Sequence, residues 1–211
     1  MIAGRILGAK NAMLAQSVDD QITTKHPLTV DFYLQMLEQG ILQEDDRVEL
    51  LNGEIFDMSP IGSSHAAVVK RLNQLFVVAA EGTVLVSVQD PIRLSNYAMP
   101  EPDIALLRPR ADFYADAHPG PDDVLLIVEV SDTSLAYDTE RKLPAYGAAG
   151  IPEVWIVNLN ANCIDRHITP TSHGYRLRER LVPGDRFAPG CLPDASLAVA
   201  DILGTDTVAE E

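Results

Sequence analysis

The chain has no run of apolar residues approaching the roughly eighteen that a membrane span needs, so nothing in its 211 residues reads as a transmembrane anchor. The opening "MIAGRILGAKNAMLAQ" carries two early cations, but its apolar residues are too interrupted for a secretory signal, and a cytoplasmic protein is expected. Cysteine is scarce. Cys163 and Cys191 have no metal-ligand spacing, which argues against a zinc framework and for reduced structural thiols. Positive charge is also in short supply, with 16 Lys and Arg against 31 Asp and Glu and a net charge of −15. A broad electrostatic grip on nucleic acid is thereby disfavoured, because it requires clustered cations. A local basic groove is still allowed, and the acidic balance suits a site that gathers cations. There is no repeat, no low-complexity segment and no linker between two cores.

What is present reads as one mixed α/β (α+β) domain over 27–203, with an N-terminal arm over 1–26 and an acidic tail over 204–211. In "TVDFYLQMLEQG", Thr29 is placed to cap a helix whose apolar stripe is Val30, Tyr33, Leu34 and Leu37. "RVELLNGEIFDMSP" predicts a hairpin about Asn52-Gly53, a register that sets Leu51 opposite Glu54 and Glu49 opposite Phe56. "SSHAAVVKRLNQLFVVAAEG" predicts a helix capped by Ser63 or Ser64 and ended by Gly82. "TVLVSVQ", "PIRLS", "DIALL", "VLLIVEV" and "EVWIVN" read as strands, and "CIDRHI" with "YRLRERL" as a second hairpin.

The chemistry is signalled by carboxylates in apolar strands. Glu129 lies among Ile127, Val128 and Val130, where an uncompensated charge costs several kcal/mol. Asp103 opens "DIALL" directly after Pro102. Two acids on neighbouring strands can share a hard divalent cation through oxygen ligands, and the ion's charge would offset their burial. A buried ion pair with Arg141 or Lys142 would also account for Glu129, and a turn cap for Asp103. In "YDTERKLPAYGAAG", Asp138, Lys142 and Tyr146 recur every four residues, and Pro144 requires a helix start or a kink there. Lys142 could fold back over the end of the strand, where it would orient a water and stabilise a developing oxyanion, or it could pair with Asp138.

The ordered segments "RVELLNGEIFDMSP", "PEPDIALL", "LLIVEVSDTS" and "YDTERKLPAYGAAGIPEVWIVN" resemble the Uma-two family of candidate endonucleases, part of the restriction-endonuclease-like PD-(D/E)XK superfamily. The likeness runs from about Thr29 to Asp201 and is most specific over 122–158. It implies a four- or five-stranded mixed sheet between helices, with extra β-hairpins and the acids on a hairpin-related pair of strands. By motif, the PD pair is Pro102-Asp103 and the second acid is Glu129. The superfamily lysine belongs two residues further on, where this chain has Ser131; the resemblance implies that Lys142 replaces it. Glu49 matches an additional metal-site glutamate, and His65 a histidine at the start of the first long helix. The implied activity is Mg²⁺-dependent (or Mn²⁺-dependent) hydrolysis of DNA by a homodimer.

Arg176, Arg178 and Arg180 share one face of a presumed strand and are the candidate nucleic-acid-binding stripe, or else a solvated outer hairpin. Arg108 and Arg110 are expected to flank the site. Two other functions compete with DNA cleavage: a catalytically silent or regulatory protein that keeps the nuclease fold, and a phosphodiesterase acting on RNA or a nucleotide.

Overall fold

Local signals set the first elements of the computed structural model, which describes residues 25–43 and 45–204. Residues 1–24 of the expected arm and 205–211 of the expected tail lie outside the described residues. Helix α1, Val30–Glu38, begins at Thr29, whose Oγ1 accepts the Phe32 N–H at 3.2 Å. Strands β1, Val48–Leu51, and β2, Glu54–Asp57, pair antiparallel in the expected register. Asn52 and Gly53 both take positive φ, 52° and 76°, as a two-residue turn of matching twist requires. Helix α2, Ser63–Ala80, departs from expectation at its start: Gly62 is the cap residue and no serine side chain closes the first turn.

The principal sheet has six strands in chain order: β3 (Leu85–Val88), β4 (Ile104–Leu107), β5 (Val124–Ser131), β6 (Glu153–Asn158), β7 (Cys163–Thr171) and β8 (Gly174–Leu181). Only β5 and β6 are parallel. The four or five strands implied by resemblance become six because the β7–β8 hairpin extends the same sheet beyond β6. "PIRLS" does not form a strand. Ile92 and Leu94 are buried, but their amides bond locally to the Pro100 and Ala98 carbonyls, so the segment folds back on itself. A parallel pair needs a crossover, supplied here by α3 (Leu135–Tyr137), a π-helical turn (Asp138–Lys142) and α4 (Leu143–Ala148). Short strands β9 (Arg186–Phe187) and β10 (Leu197–Ala198) lead into α5 (Val199–Leu203).

Alternation along β5 divides the core. Leu126, Val128 and Val130 pack with Val68, Leu72 and Phe76 of α2 and with Trp155. Ile127 faces the other way, onto Tyr146, Ile151, Val154 and Ile156. Glu129 and Ser131 follow Ile127 at the strand period and so point toward the crossover. Because β4 runs antiparallel to β5, the start of β4 and the end of β5 lie at the same end of the sheet.

The crossover is pressed against the β7–β8 turn. A Cβ at Gly147 would stand 2.3 Å from the Gly174 carbonyl oxygen. Gly147→Ala is therefore expected to destabilise the fold by about 1–3 kcal/mol despite alanine's better helix propensity. Denaturant unfolding checks this, and an unchanged or higher midpoint would contradict the close packing.

Candidate active site

Asp103 immediately precedes β4 and reaches across to β5, where its Oδ2 accepts the Val130 N–H at 2.9 Å. The same oxygen lies 2.9 Å from His65 Nε2, on the first turn of α2, and Gln89 Nε2 donates to Oδ1 at 3.2 Å. His65 thus ties α2 to the PD segment. Its Nδ1 is buried and has no hydrogen-bond partner.

Glu129 is 2 % exposed, and its Oε1 accepts from the Tyr146 hydroxyl at 2.5 Å and from Lys142 Nζ at 3.0 Å. Lys142 does return to the strand end. Its Nζ also lies 3.2 Å from Glu49 Oε2 on β1 and donates to the Glu101 carbonyl at 3.3 Å. One ammonium therefore joins the β1–β2 hairpin, the segment before β4, and β5. Pairing with Asp138 does not occur. That carboxylate instead accepts from Ser131 Oγ at 2.7 Å and Ser134 Oγ at 2.6 Å. Lys142 closes the π-helical turn, in which the Leu143 N–H bonds to the Asp138 carbonyl. Pro144 stands in the first turn of α4, where its missing N–H costs no interior helical bond.

The electrostatics follow from burial and crowding. Burial alone would pull the Lys142 ammonium down, but Glu129 and Glu49, with Asp138, outweigh it and hold the lysine well above its ordinary range. Burial pushes Glu129 upward against the opposing pull of Lys142. Glu101 is likewise raised, by burial first and then by the Glu49 charge. The hydrogen bond to Asp103 raises His65, against a smaller contrary effect of burial.

These groups line one cavity of about 430 Å³. Its wall carries seven carboxylates, among them Glu49, Asp103 and Glu129, against the cations Arg47 and Lys142. Glu49 is 1 % exposed, and its Oε1 and the Tyr137 hydroxyl are both buried without a well-formed hydrogen bond, although the two side chains lie close enough that burial and then the Glu49 carboxylate hold the Tyr137 hydroxyl protonated. Among the described residues, no three acid, imidazole or thiol groups converge into a ready cage for an ion. A larger hollow of about 880 Å³ lies between α2 and the 191–197 segment, away from the strand ends that carry Asp103 and Glu129.

Asp103, Glu129, Lys142, Glu49 and His65 thus come together. The arginines do not join them. Arg108 and Arg110 follow β4, whose end pairs with the beginning of β5, so they sit at the opposite end of the sheet. There Arg110 pairs with Asp112 and stacks on Tyr114. On edge strand β8, Arg178 and Arg180 both bind Asp165, while Arg176 is exposed toward the end of β8 remote from the site. Sequence reasoning passed over Arg47, which lines the cavity and forms no ion pair among the described residues, and Tyr137. Arg47 had one available signal, its place two residues before Glu49.

A mixed sheet with two acids at the same end of adjacent antiparallel strands, flanked by a long helix and a βαβ crossover, is the architecture of the restriction-endonuclease-like nucleases. The chain belongs to the Uma2 family, described as "Putative restriction endonuclease", whose profile matches residues 30–200. It is similar in structure to a "putative nuclease belonging to DUF820" from Anabaena variabilis ATCC 29413, with a TM-score of 0.66 at 14% identity over 84% of this chain and 98% of that one. No curated protein matches the chain. Among the described residues, no helix is long and apolar enough to cross a membrane.

In metal-free protein, His65 should titrate above its ordinary 6.5, and Asp103→Asn should lower that value. Since the folded-state value is the raised one, the pair's stabilisation is complete below the unfolded value. It is lost as pH rises through the folded value. NMR titration of the His65 ring checks this; a His65 pKa insensitive to Asp103→Asn would contradict it.

Proposed function

We propose that the protein is a metal-dependent endonuclease that hydrolyses phosphodiester bonds in DNA. The observation that carries this reading is the convergence of Asp103, Glu129 and Lys142 in one strongly acidic cavity. Asp103 and Glu129, with Glu49, would hold Mg²⁺ or Mn²⁺. The donors are hard carboxylate oxygens, and Glu49 Oε1 is buried with the Tyr137 hydroxyl beside it but no well-formed hydrogen bond. An ion taking one or two carboxylates and keeping several waters needs no preformed cage, which is how Mg²⁺ usually binds. When bound, such an ion lowers the pKa of a water and offsets charge on the scissile phosphate.

The chain's own residues divide the remaining work. Lys142 orients the attacking water and meets developing negative charge with an ammonium whose protonation the neighbouring acids secure. Tyr146 and Lys142 both engage Oε1 of Glu129, so the other carboxylate oxygen is the one offered to a cation. His65 fixes Asp103 through Nε2. Arg47, with Lys142 the other cation of the wall, supplies a positive contact for an entering phosphate. A homodimer, acting on both strands of a duplex, draws support from the exposed Leu177 and Val182 near the β8 edge.

A catalytically silent protein is the second reading. It is favoured by the position of Lys142 Nζ, which already satisfies Glu49 and Glu129 together. Plasmid cleavage with Mg²⁺ or Mn²⁺ separates the two. The wild type should cut, and Glu129→Ala and Lys142→Ala should each cut slower by at least on the order of 100-fold. Cleavage retained by both variants, or a wild type inert on DNA with either ion, would sink the nuclease reading.

A further inference from the structure

We propose that Asp138 is a positioning residue of this site: clamped by the hydroxyls of Ser131 and Ser134, it sets the π-helical turn that delivers Lys142 between Glu49 and Glu129. Ser131 stands two residues beyond Glu129 on the same strand face and is fully buried. A serine there is too short to do a lysine's work in the cavity. Its Oγ instead donates to Asp138 Oδ2 at 2.7 Å, and Ser134 Oγ donates to the same oxygen at 2.6 Å. The Asp138 N–H bonds to the Ser134 carbonyl at 2.9 Å, and the Asp138 carbonyl accepts the Leu143 N–H five residues on. One residue thus anchors the turn to β5 by its side chain and widens it by its backbone. π-Turns of this kind often re-aim a functional side chain. With its Oδ2 occupied by hydroxyls, Asp138 does not capture Lys142, and the ammonium reaches past it to Glu49 and Glu129. The serine at the strand position is then part of the device that lets a helix supply the lysine.

The proposal rests on the nuclease reading for its kinetic consequence, but the placement of Lys142 can be read separately. The chain has four lysines, Lys10, Lys25, Lys70 and Lys142, so reductive methylation followed by peptide mass spectrometry compares Lys142 with the exposed Lys70. In wild type, Lys142 should react at least about tenfold more slowly than Lys70. In Asp138→Ala most of that difference should vanish while the Lys70 rate holds, whereas Asp138→Asn, whose amide oxygen can accept both serine hydroxyls, should keep it. Cleavage of DNA by Asp138→Ala should lose kcat, on the order of 100-fold, with KM unchanged. If Asp138→Ala does not fold, Ser131→Ala and Ser134→Ala, each removing one clamping hydroxyl, decide the matter. Protection of Lys142 at the wild-type level in the folded alanine variants would overturn the proposal. A wild type without nuclease activity would overturn the functional reading alone, because the methylation result still decides whether Asp138 places the lysine.

Discussion

The structure turns on one ammonium shared by two buried carboxylates. Lys142 Nζ lies 3.0 Å from Glu129 and 3.2 Å from Glu49, with all three side chains at most 5 % exposed. Such an arrangement contributes little net stability, because desolvation of the charges offsets their attraction, yet removing the cation would strand two carboxylates and cost about 3–5 kcal/mol. A hydrophobic trio of similar volume would hold the three segments together as well. That charged groups stand there instead is what points to chemistry. The second sign is the imbalance around them, since among the described residues seven carboxylates in one cavity face the cations Lys142 and Arg47. A wall with that excess favours an incoming cation and disfavours an unaccompanied phosphate. A metal ion is therefore required twice in the account, once to relieve the acids and once to let an anionic substrate approach.

The fold supplies this arrangement through the relation of β4, β5 and the crossover. Antiparallel pairing brings Asp103 beside the end of β5, and the strand period turns Glu129 toward the crossover while Val128 and Val130 bury against α2. The π-helical turn and Pro144 together re-aim the helix so that Lys142 comes back over the strand end. Tyr146, one turn further on, closes over Glu129 from the same side. Asp138, Lys142 and Tyr146 recur every four residues; Asp138 holds the two serine hydroxyls, while Lys142 and Tyr146 share Glu129.

Much of this was legible in the sequence where short-range physics decides. Asn52-Gly53 dictated the hairpin register, Thr29 the first helix start, and a lone glutamate in an apolar strand pointed to the candidate site. What was not legible depended on long-range topology. The sheet gained its full width because β7–β8 adds to β6, which no local pattern states. Arg108 and Arg110 follow the PD segment by only a few residues, yet β4 carries them to the far end of the sheet. Arg178 and Arg180 share a strand face as expected, but β7 places Asp165 opposite, where it binds both. The contact of Lys142 with Glu49 joins residues from two remote segments, and Arg47 gains meaning only from the cavity it lines. Apolar burial of Ile92 and Leu94 read as a strand because burial and strand pairing share one sequence pattern.

The central claim is that Asp103 and Glu129 form a cation site served by Lys142. A crystal of the wild-type protein soaked in Mn²⁺ and measured at the manganese absorption edge tests it most directly. The account predicts an anomalous peak within ligand distance of both Asp103 and Glu129, with Lys142 still in the cavity beside it. No peak in the cavity, with Lys142 unmoved between Glu49 and Glu129, or a peak held by neither acid, would contradict it.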